Sequence, residues 1–303
     1  MKLTLEALQA IDAIERRGSY AAAADELHKV PSALSYIVQK LEADLRITVF
    51  DRTGHRAKLT DTGRVLLQRG RQLLRDAADL ECRASRIETG WETELRIAIE
   101  TTVPFEAMVP YITAFYGEST ATRLRFSHEV LGGSWDALYT RRADVVIGAL
   151  GDPPFSGYAS RPIGTLEMVF CVAPSHPLAN ATAPLTTLQV SEYRAIAMGD
   201  TSHQLEPRTL GLAEGQETVT VSNIDFKLRL QLSGLGSGFL PVCVARRHIE
   251  RGQLVAKELD TPPLSRSFHL AWHADHEGEA LKWWVRQLDR PELISEMWAS
   301  VPA

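Results

Sequence analysis

A chain of 303 residues with 45% hydrophobic side chains is long enough to bury a full core and to hold more than one domain. Its net charge of −5 excludes a general nucleic-acid coat, and three widely spaced cysteines (Cys82, Cys171 and Cys243) imply neither a disulfide framework nor a zinc ribbon. No apolar run reaches the length of a membrane span, and Glu6, Gln9 and Asp12 interrupt the start where a signal-peptide core would stand, so a soluble, cytoplasmic protein is expected.

Leu5, Leu8, Ile11, Ala13 and Ile14 give a first helix its buried stripe, which Gly18 closes. Ser19 is placed to cap a second helix, whose run of alanines at 21–24 lets another helix approach closely. His28 and Lys29 form the turn, and Pro31 suits the first turn of a third helix. Val30, Leu34, Ile37, Leu41 and Leu45 then share one face, which leaves Ser32, Ser35, Tyr36, Gln39 and Lys40 outward. Hydroxyls, an amide, an aromatic ring and a cation on one short helix face suit the major groove of DNA. Although the chain is acidic, residues 46–75 carry eight arginines and lysines against two aspartates, a local charge of +6. Within that window Val49 and Phe50, then residues 57–59, flank a tight polar turn, which reads as a two-stranded wing. Arg52, His55, Arg56 and Lys58 on the wing would reach phosphate or the minor groove.

Thr60 or Asp61 caps a long helix to about Thr89. Along it Leu66, Leu73, Leu80 and Ile87 recur every seven residues, with Gly70, Ala77 and Ala84 four positions after the first three. Large and small residues alternating on a heptad seam predict a dimer through this helix.

The series AAAADELH, VPSALSYIVQKLE, VFDR and LTDTGR, followed by a long helix, resembles the LysR-type transcriptional regulators, closely over the N-terminal third and by pattern beyond it. The family commonly carries glutamine where Val30 stands and a basic residue where Tyr36 stands, so no preferred base sequence carries over. The resemblance implies a winged helix-turn-helix over 1–60, a linker and dimerisation helix over 61–90, and an effector-binding domain over 91–303. That domain is expected to be α/β and similar to a periplasmic binding protein. Its two Rossmann-like subdomains would span about 91–163 with 267–303, and about 164–266. The resemblance also implies a homotetramer, an effector in the cleft, and contact with RNA polymerase.

The residues themselves support this division. Strands are expected at 95–100, 124–131 and 143–150 with helices at 104–117 and 133–142 between them, a βαβαβ pattern that implies a parallel sheet. Further strands are expected at 168–174, 193–199, 219–223 and 267–273, a helix near 225–233, and a closing helix over GEALKWWVRQL. Ligands in such sheets sit beyond the C-terminal strand ends. That rule selects Glu100, Thr101, Thr102, Glu129, Gly148, Asp200, Thr201 and Ser202, with Phe239 as a stacking wall. The first, second and fourth of these loops carry Glu100, Glu129 and Asp200 and no arginine, which predicts a neutral, donor-rich effector such as an aromatic or nucleoside-like compound.

Enzyme motifs are weak. GLGSGF at 234–239 matches neither a dinucleotide fingerprint, a phosphate loop nor a hydrolase elbow. His273, Asp275, His276 and Glu277 lack metalloprotease spacing and read as a solvated cap. The chain is therefore expected to be a ligand-responsive regulator binding double-stranded DNA, not an enzyme, with no metal or cofactor. The competing reading is a solute-binding sensor module that docks a protein through its first domain.

Overall fold

The computed structural model describes residues 2–51, 57–118, 122–213 and 215–300, and for Asp79 and residues 82–89 the backbone alone. The chain divides into two compact units, Met1–Ala84 and Ser85–Ala303.

In the first unit, α1 (Leu5–Arg17), α2 (Tyr20–Glu26) and α3 (Pro31–Leu45) precede a short antiparallel hairpin of β1 (Phe50–Asp51) and β2 (Lys58–Leu59). Local chemistry sets the boundaries. Thr4 Oγ1 accepts from Ala7 N at 3.1 Å to start α1. Gly18 ends it at φ 73°, a conformation a Cβ would strain. Ser19 Oγ then accepts from Ala22 N at 3.2 Å to start α2. Ile11, Ile14, Ala23, Ala24, Leu34, Val38 and Phe50 fill the core. Two residues of the expected stripes lie outside it. Leu5 is exposed, and Val30 is 62% exposed because it is the extended N-cap residue of α3, ahead of the helical repeat. Val38 takes the core position, while Ile37 and Leu45 pack at its edge.

Helix α4 (Asp61–Thr89) begins in this unit. Leu67 is buried, Leu66 packs against the same core, and a Cβ on Gly70 would meet Leu8 Cδ2 at 2.4 Å. Gly70 thus serves the packing of α4 onto α1 and not a seam between two copies. Arg71 closes the contact through Asp12 at 2.6 Å and Glu15 at 2.8 Å. Further along, Leu73 and Leu80 are 47% and 69% exposed, and Ala77 is half-buried. The side chains of Ala84 and Ile87, which complete the expected seam, lie outside the described residues.

In the second unit the chain runs β3 (Glu94–Glu100), α5 (Val109–Glu118), β4 (Arg123–Glu129), α6 (Gly133–Tyr139), β5 (Val145–Leu150) and β6 (Tyr158–Val172). It continues through α7 (Thr187–Ser191), β7 (Ala195–Met198), β8 (Thr218–Val221), α8 (Ile224–Leu232) and β9 (Gly238–Pro241). The last elements are α9 (Val242–Glu250), β10 (Val255–Lys257), β11 (Leu264–His273), α10 (Glu279–Leu288) and α11 (Leu293–Ser300). The main sheet has the order β10-β6-β11-β5-β3-β4, with β9 also pairing β6. As the βαβαβ pattern predicts, β3 is parallel to both β4 and β5. Strand β11 returns antiparallel between β5 and β6.

The long strand β6 departs from expectation. It starts ten residues before the expected 168 and belongs to both lobes: its first half pairs β11, and its second half pairs β9 and β10. Pro162 and Gly164 look like a break, but they sit where the β6–β11 register shifts, a bulge that tolerates both. Lobe I comprises β3, β4, β5, α5, α6 and the C-terminal helices α10 and α11, over a core that includes Phe115, Phe268, Trp283 and Trp284. Lobe II holds the parallel pair β7–β8 with α8, β9 and α9. Helices α9 and α11 stand where the sequence reading places none; Pro241 is the N-cap of α9.

Candidate functional site

The first candidate surface is the outward face of α3. Ser32, Gln39 and Lys40 are exposed, Tyr36 is 65% exposed, and Ser35 is half-buried. Lys29 is exposed at the preceding turn, with its Nζ 2.8 Å from Glu6 Oε1. Val30 is also exposed, at the head of this helix. Lys58 is exposed on β2, whereas Arg52, His55 and Arg56 of the wing lie outside the described residues. Arg64 and Arg71 are held by Asp61 and by Asp12 with Glu15, so part of the basic charge of residues 46–75 is neutralised within the unit.

The second candidate site is a small cavity, about 70 Å³, between the lobes of the second unit. Lobe I contributes Glu100, Thr102, Leu131, Leu150 and Phe268, and lobe II contributes Ala197, Met198, Ile224, Lys227 and Phe239. Met168, Leu264 and Arg266 come from the paired strands β6 and β11, and Leu210 and Leu212 from the loop after β7. Of the effector residues expected from the strand-end rule, Glu100, Thr102 and Phe239 are on this wall; Thr101 and Gly148 are not. Gly148 sits behind it instead: at φ 93° a Cβ there would crowd Val103 and Glu100.

Glu129, Asp200, Thr201 and Ser202 form a clasp between the lobes. Thr201 Oγ1 donates to Glu129 Oε2 at 2.5 Å and accepts from Val130 N at 3.0 Å. Asp200 accepts from Gly132 N and Arg208 N, both at 2.8 Å, and from Ser202 N at 2.7 Å. Arg142 pairs with Glu129 and, at 3.0 Å, with Asp136, which is fully buried. Asp136 in turn accepts from Gln204 N at 2.7 Å and Leu205 N at 2.8 Å. The clasp leaves no room for side chains at its glycines, since a Cβ on Gly133 would meet Thr201 Oγ1 at 1.9 Å.

The cavity wall also removes the ground for expecting a neutral effector. Arg266 and Lys227 reach it from mid-strand and mid-helix positions outside the strand-end loops. Lys227 is 7% exposed, its Nζ donates to Ile196 O, and burial pulls its pKa down to about 8. Glu100 is 2% exposed, and burial raises its pKa to about 7 despite donors from Thr102 N (2.7 Å), Thr102 Oγ1 and Leu131 N. A carboxyl raised from 4.5 to about 7 by folding destabilises the native state once ionised, so stability falls as pH rises from 4.5 through 7. Replacing Glu100 by Gln removes this titration. The stability of the 85–303 unit in Glu100→Gln is expected to rise relative to the parent between pH 5 and pH 8, by about 3 kcal/mol at most. Urea unfolding at both pH values measures this, and a pH-independent difference between the two proteins would refute it. The other charged groups of the wall are Lys227 and Arg266.

His273 and His276 do not form a shared site. His273 Nε2 lies 2.9 Å from Leu138 O, whereas His276 Nε2 lies 2.9 Å from Glu92 Oε1. Glu92 is buried and accepts from Ala280 N and Leu281 N at the start of α10, so this is an interior helix cap, not a solvated one. Among the described residues no cluster of three or more His, Cys, Asp or Glu side chains could hold a metal ion.

A winged helix-turn-helix in one unit and a two-lobed α/β unit with an internal cavity in the other define a DNA-binding regulator with an effector-binding domain. The chain belongs to the LysR family of transcriptional regulators: residues 5–64 match the bacterial regulatory helix-turn-helix of the lysR family, and residues 88–290 match the LysR substrate binding domain. It is 43% identical over 300 residues to the HTH-type transcriptional regulator YeeY of Escherichia coli strain K12, covering 99% of this chain and 97% of that one. It is 42% identical to the probable HTH-type transcriptional regulator YhaJ of the same strain, covering 97% of each. The fold is similar to that of full-length CbnR complexed with its target DNA, at a TM-score of 0.59 and 18% identity over 94% of this chain and 99% of that one. These relatives are regulators and not enzymes, and they do not favour the protein-docking sensor module. No helix among the described residues is long and apolar enough to cross a membrane.

Proposed function

We propose that this regulator reads a specific DNA site with Ser32, Ser35, Tyr36 and Gln39, positioned by Lys29, Lys40, Arg52, His55 and Arg56, and that a small molecule bound between the two lobes controls it. The observation that carries the second half is the cavity itself, whose wall draws on both lobes. A ligand touching both lobes has different affinity for open and closed arrangements, and that difference is what shifts an equilibrium. The exposed Leu73 and Leu80 support pairing of two chains through α4, with Ala77, Ala84 and Ile87 continuing the seam beyond Leu66, which packs on its own core, and two dimers forming a tetramer. Paired reading helices would recognise half-sites separated by whole helical turns. The ligand would alter how the dimers sit on DNA and so their contact with RNA polymerase.

The test is footprinting of the intergenic DNA beside the protein's own gene at several salt concentrations. A protected site of two spaced half-sites is expected, with affinity falling steeply as salt rises. In the double variant Leu73→Glu, Leu80→Glu the protein is expected to be monomeric by sedimentation and to lose the two-half-site footprint. Equal binding of this DNA and random DNA would reject specific reading, and an unchanged dimer would reject the α4 seam.

A further inference from the structure

Taking the cavity between the lobes as the effector site, we propose that its ligand is an organic monoanion: a carboxylate held by Arg266, on an apolar ring or chain that lies against Phe239, Phe268 and Leu131. Leu264, Arg266 and Phe268 turn to the cavity from one face of β11, as the two-residue strand repeat requires. A guanidinium between two apolar neighbours on an inward face needs a partner. Among the described residues the Arg266 side chain has neither a hydrogen bond nor an ion pair, and burial lowers its pKa with no acid to compensate. Its neighbours in the wall are mostly apolar, so the missing partner is not a protein carboxylate.

The balance of charge selects an anion. Lys227, also on the wall, uses one of its three N–H donors on Ile196 O. Glu100 is the one acid of the wall among the described residues, and its burial and its bonds to Thr102 leave it partly protonated near neutral pH. The wall therefore carries a net positive charge. A cationic ligand would meet two cations, one of them buried, and a neutral one would leave Arg266 partly desolvated and unpaired. A carboxylate instead accepts two parallel N–H bonds from the planar guanidinium, the geometry in which arginine differs from lysine. Small inorganic anions are disfavoured for another reason: the leucines, methionines and two phenylalanines offer nothing to replace their hydration, whereas an apolar body is stabilised there.

The experiment uses the full-length protein and matched probes read by calorimetry. The acids are benzoate, phenylacetate, cinnamate and octanoate; the controls are their amides, and benzylamine is the cation. At least one acid is expected to bind tenfold or more tightly than its own amide, and Arg266→Gln is expected to abolish that preference, with a fall of about 10–100-fold for the acid. Arg266→Lys, which keeps the charge without the fork, is expected to fall between the two. The unfolding transition of each variant shows that the second unit is intact. Amides that bind as well as acids, an Arg266→Gln protein that keeps its preference, or no acid bound at millimolar concentration would each overturn the proposal. Ala197→Trp, which fills the cavity, separates this from failure of the effector reading. A neutral probe that binds and is lost in Ala197→Trp sinks the anion but keeps the site, whereas binding indifferent to Ala197→Trp places the ligand elsewhere.

Discussion

Asp136→Ala is expected to destabilise the 85–303 unit by about 3 kcal/mol or more, lowering its thermal transition by about 6–12 °C. The Asp136 carboxylate has no solvent exposure and bonds the loop after β7 by two backbone N–H groups, those of Gln204 and Leu205. It also holds Arg142, whose other partner Glu129 receives the Thr201 hydroxyl. Removing the carboxylate leaves the Gln204 and Leu205 N–H groups without their acceptor and half of the charge around Arg142 uncompensated, and stranded groups of this kind account for most of such losses. Asp136→Asn keeps one acceptor oxygen, and its loss is expected to be roughly half as large. The pH dependence has a definite sign. Burial pushes the Asp136 carboxyl up, but the N–H groups of Leu205, Gln204 and His203 together with Arg142 outweigh it and hold its pKa below the usual aspartate value. Its stabilisation is therefore complete above the unfolded-state pKa and is lost as pH falls through the native one. The gap between parent and Asp136→Ala should close in acid. Calorimetric scans at pH 7 and pH 3 check both parts, and equal transitions at pH 7 would show that the clasp contributes nothing to stability.

How far the chain was legible depended on how local each cause is. Gly18, Ser19 and Pro31 act on backbone groups within four residues, and the helices they delimit stand where those residues put them. Val30 shows the limit of counting by period: a residue one step before the helix begins does not share the helix face, whatever its spacing. Pro162 and Gly164 hid the continuity of β6 because only the facing strand, a hundred residues away, supplies the bulge that accommodates them.

The site divides in the same way. The strand-end rule finds Glu100 and Thr102, which are fixed by their own strand, and it also selects Glu129, Asp200 and Thr201. Glu129 and Thr201 are spent on each other and Asp200 on the N–H of Gly132, because the fold brings together segments about 70 residues apart. Lys227 and Arg266 lie in the middle of regular elements, where the rule does not look. The available signal was an arginine between Leu264 and Phe268 on an otherwise apolar strand face, a placement with a cost that a ligand offsets.

Tyr36→Ala and Lys40→Ala are expected to separate reading from positioning on DNA. Both residues are exposed on α3, and alanine is the strongest helix former, so neither change should move the unfolding transition of the first unit. Tyr36 presents a ring and a hydroxyl to base edges. Its loss is expected to cost about 1–3 kcal/mol at the specific site, roughly 5–150-fold in affinity, with binding to random DNA nearly unchanged. Lys40 offers a mobile ammonium, which phosphate accepts on any sequence. Its loss should weaken specific and random binding together and reduce the salt slope by about one counterion. Anisotropy titrations on both DNAs across a range of salt distinguish these effects. If Tyr36→Ala lowers both affinities equally, the ring packs on the backbone and base reading passes to the hydroxyls and amide of Ser32, Ser35 and Gln39. If neither variant changes either affinity, this face of α3 does not enter the groove.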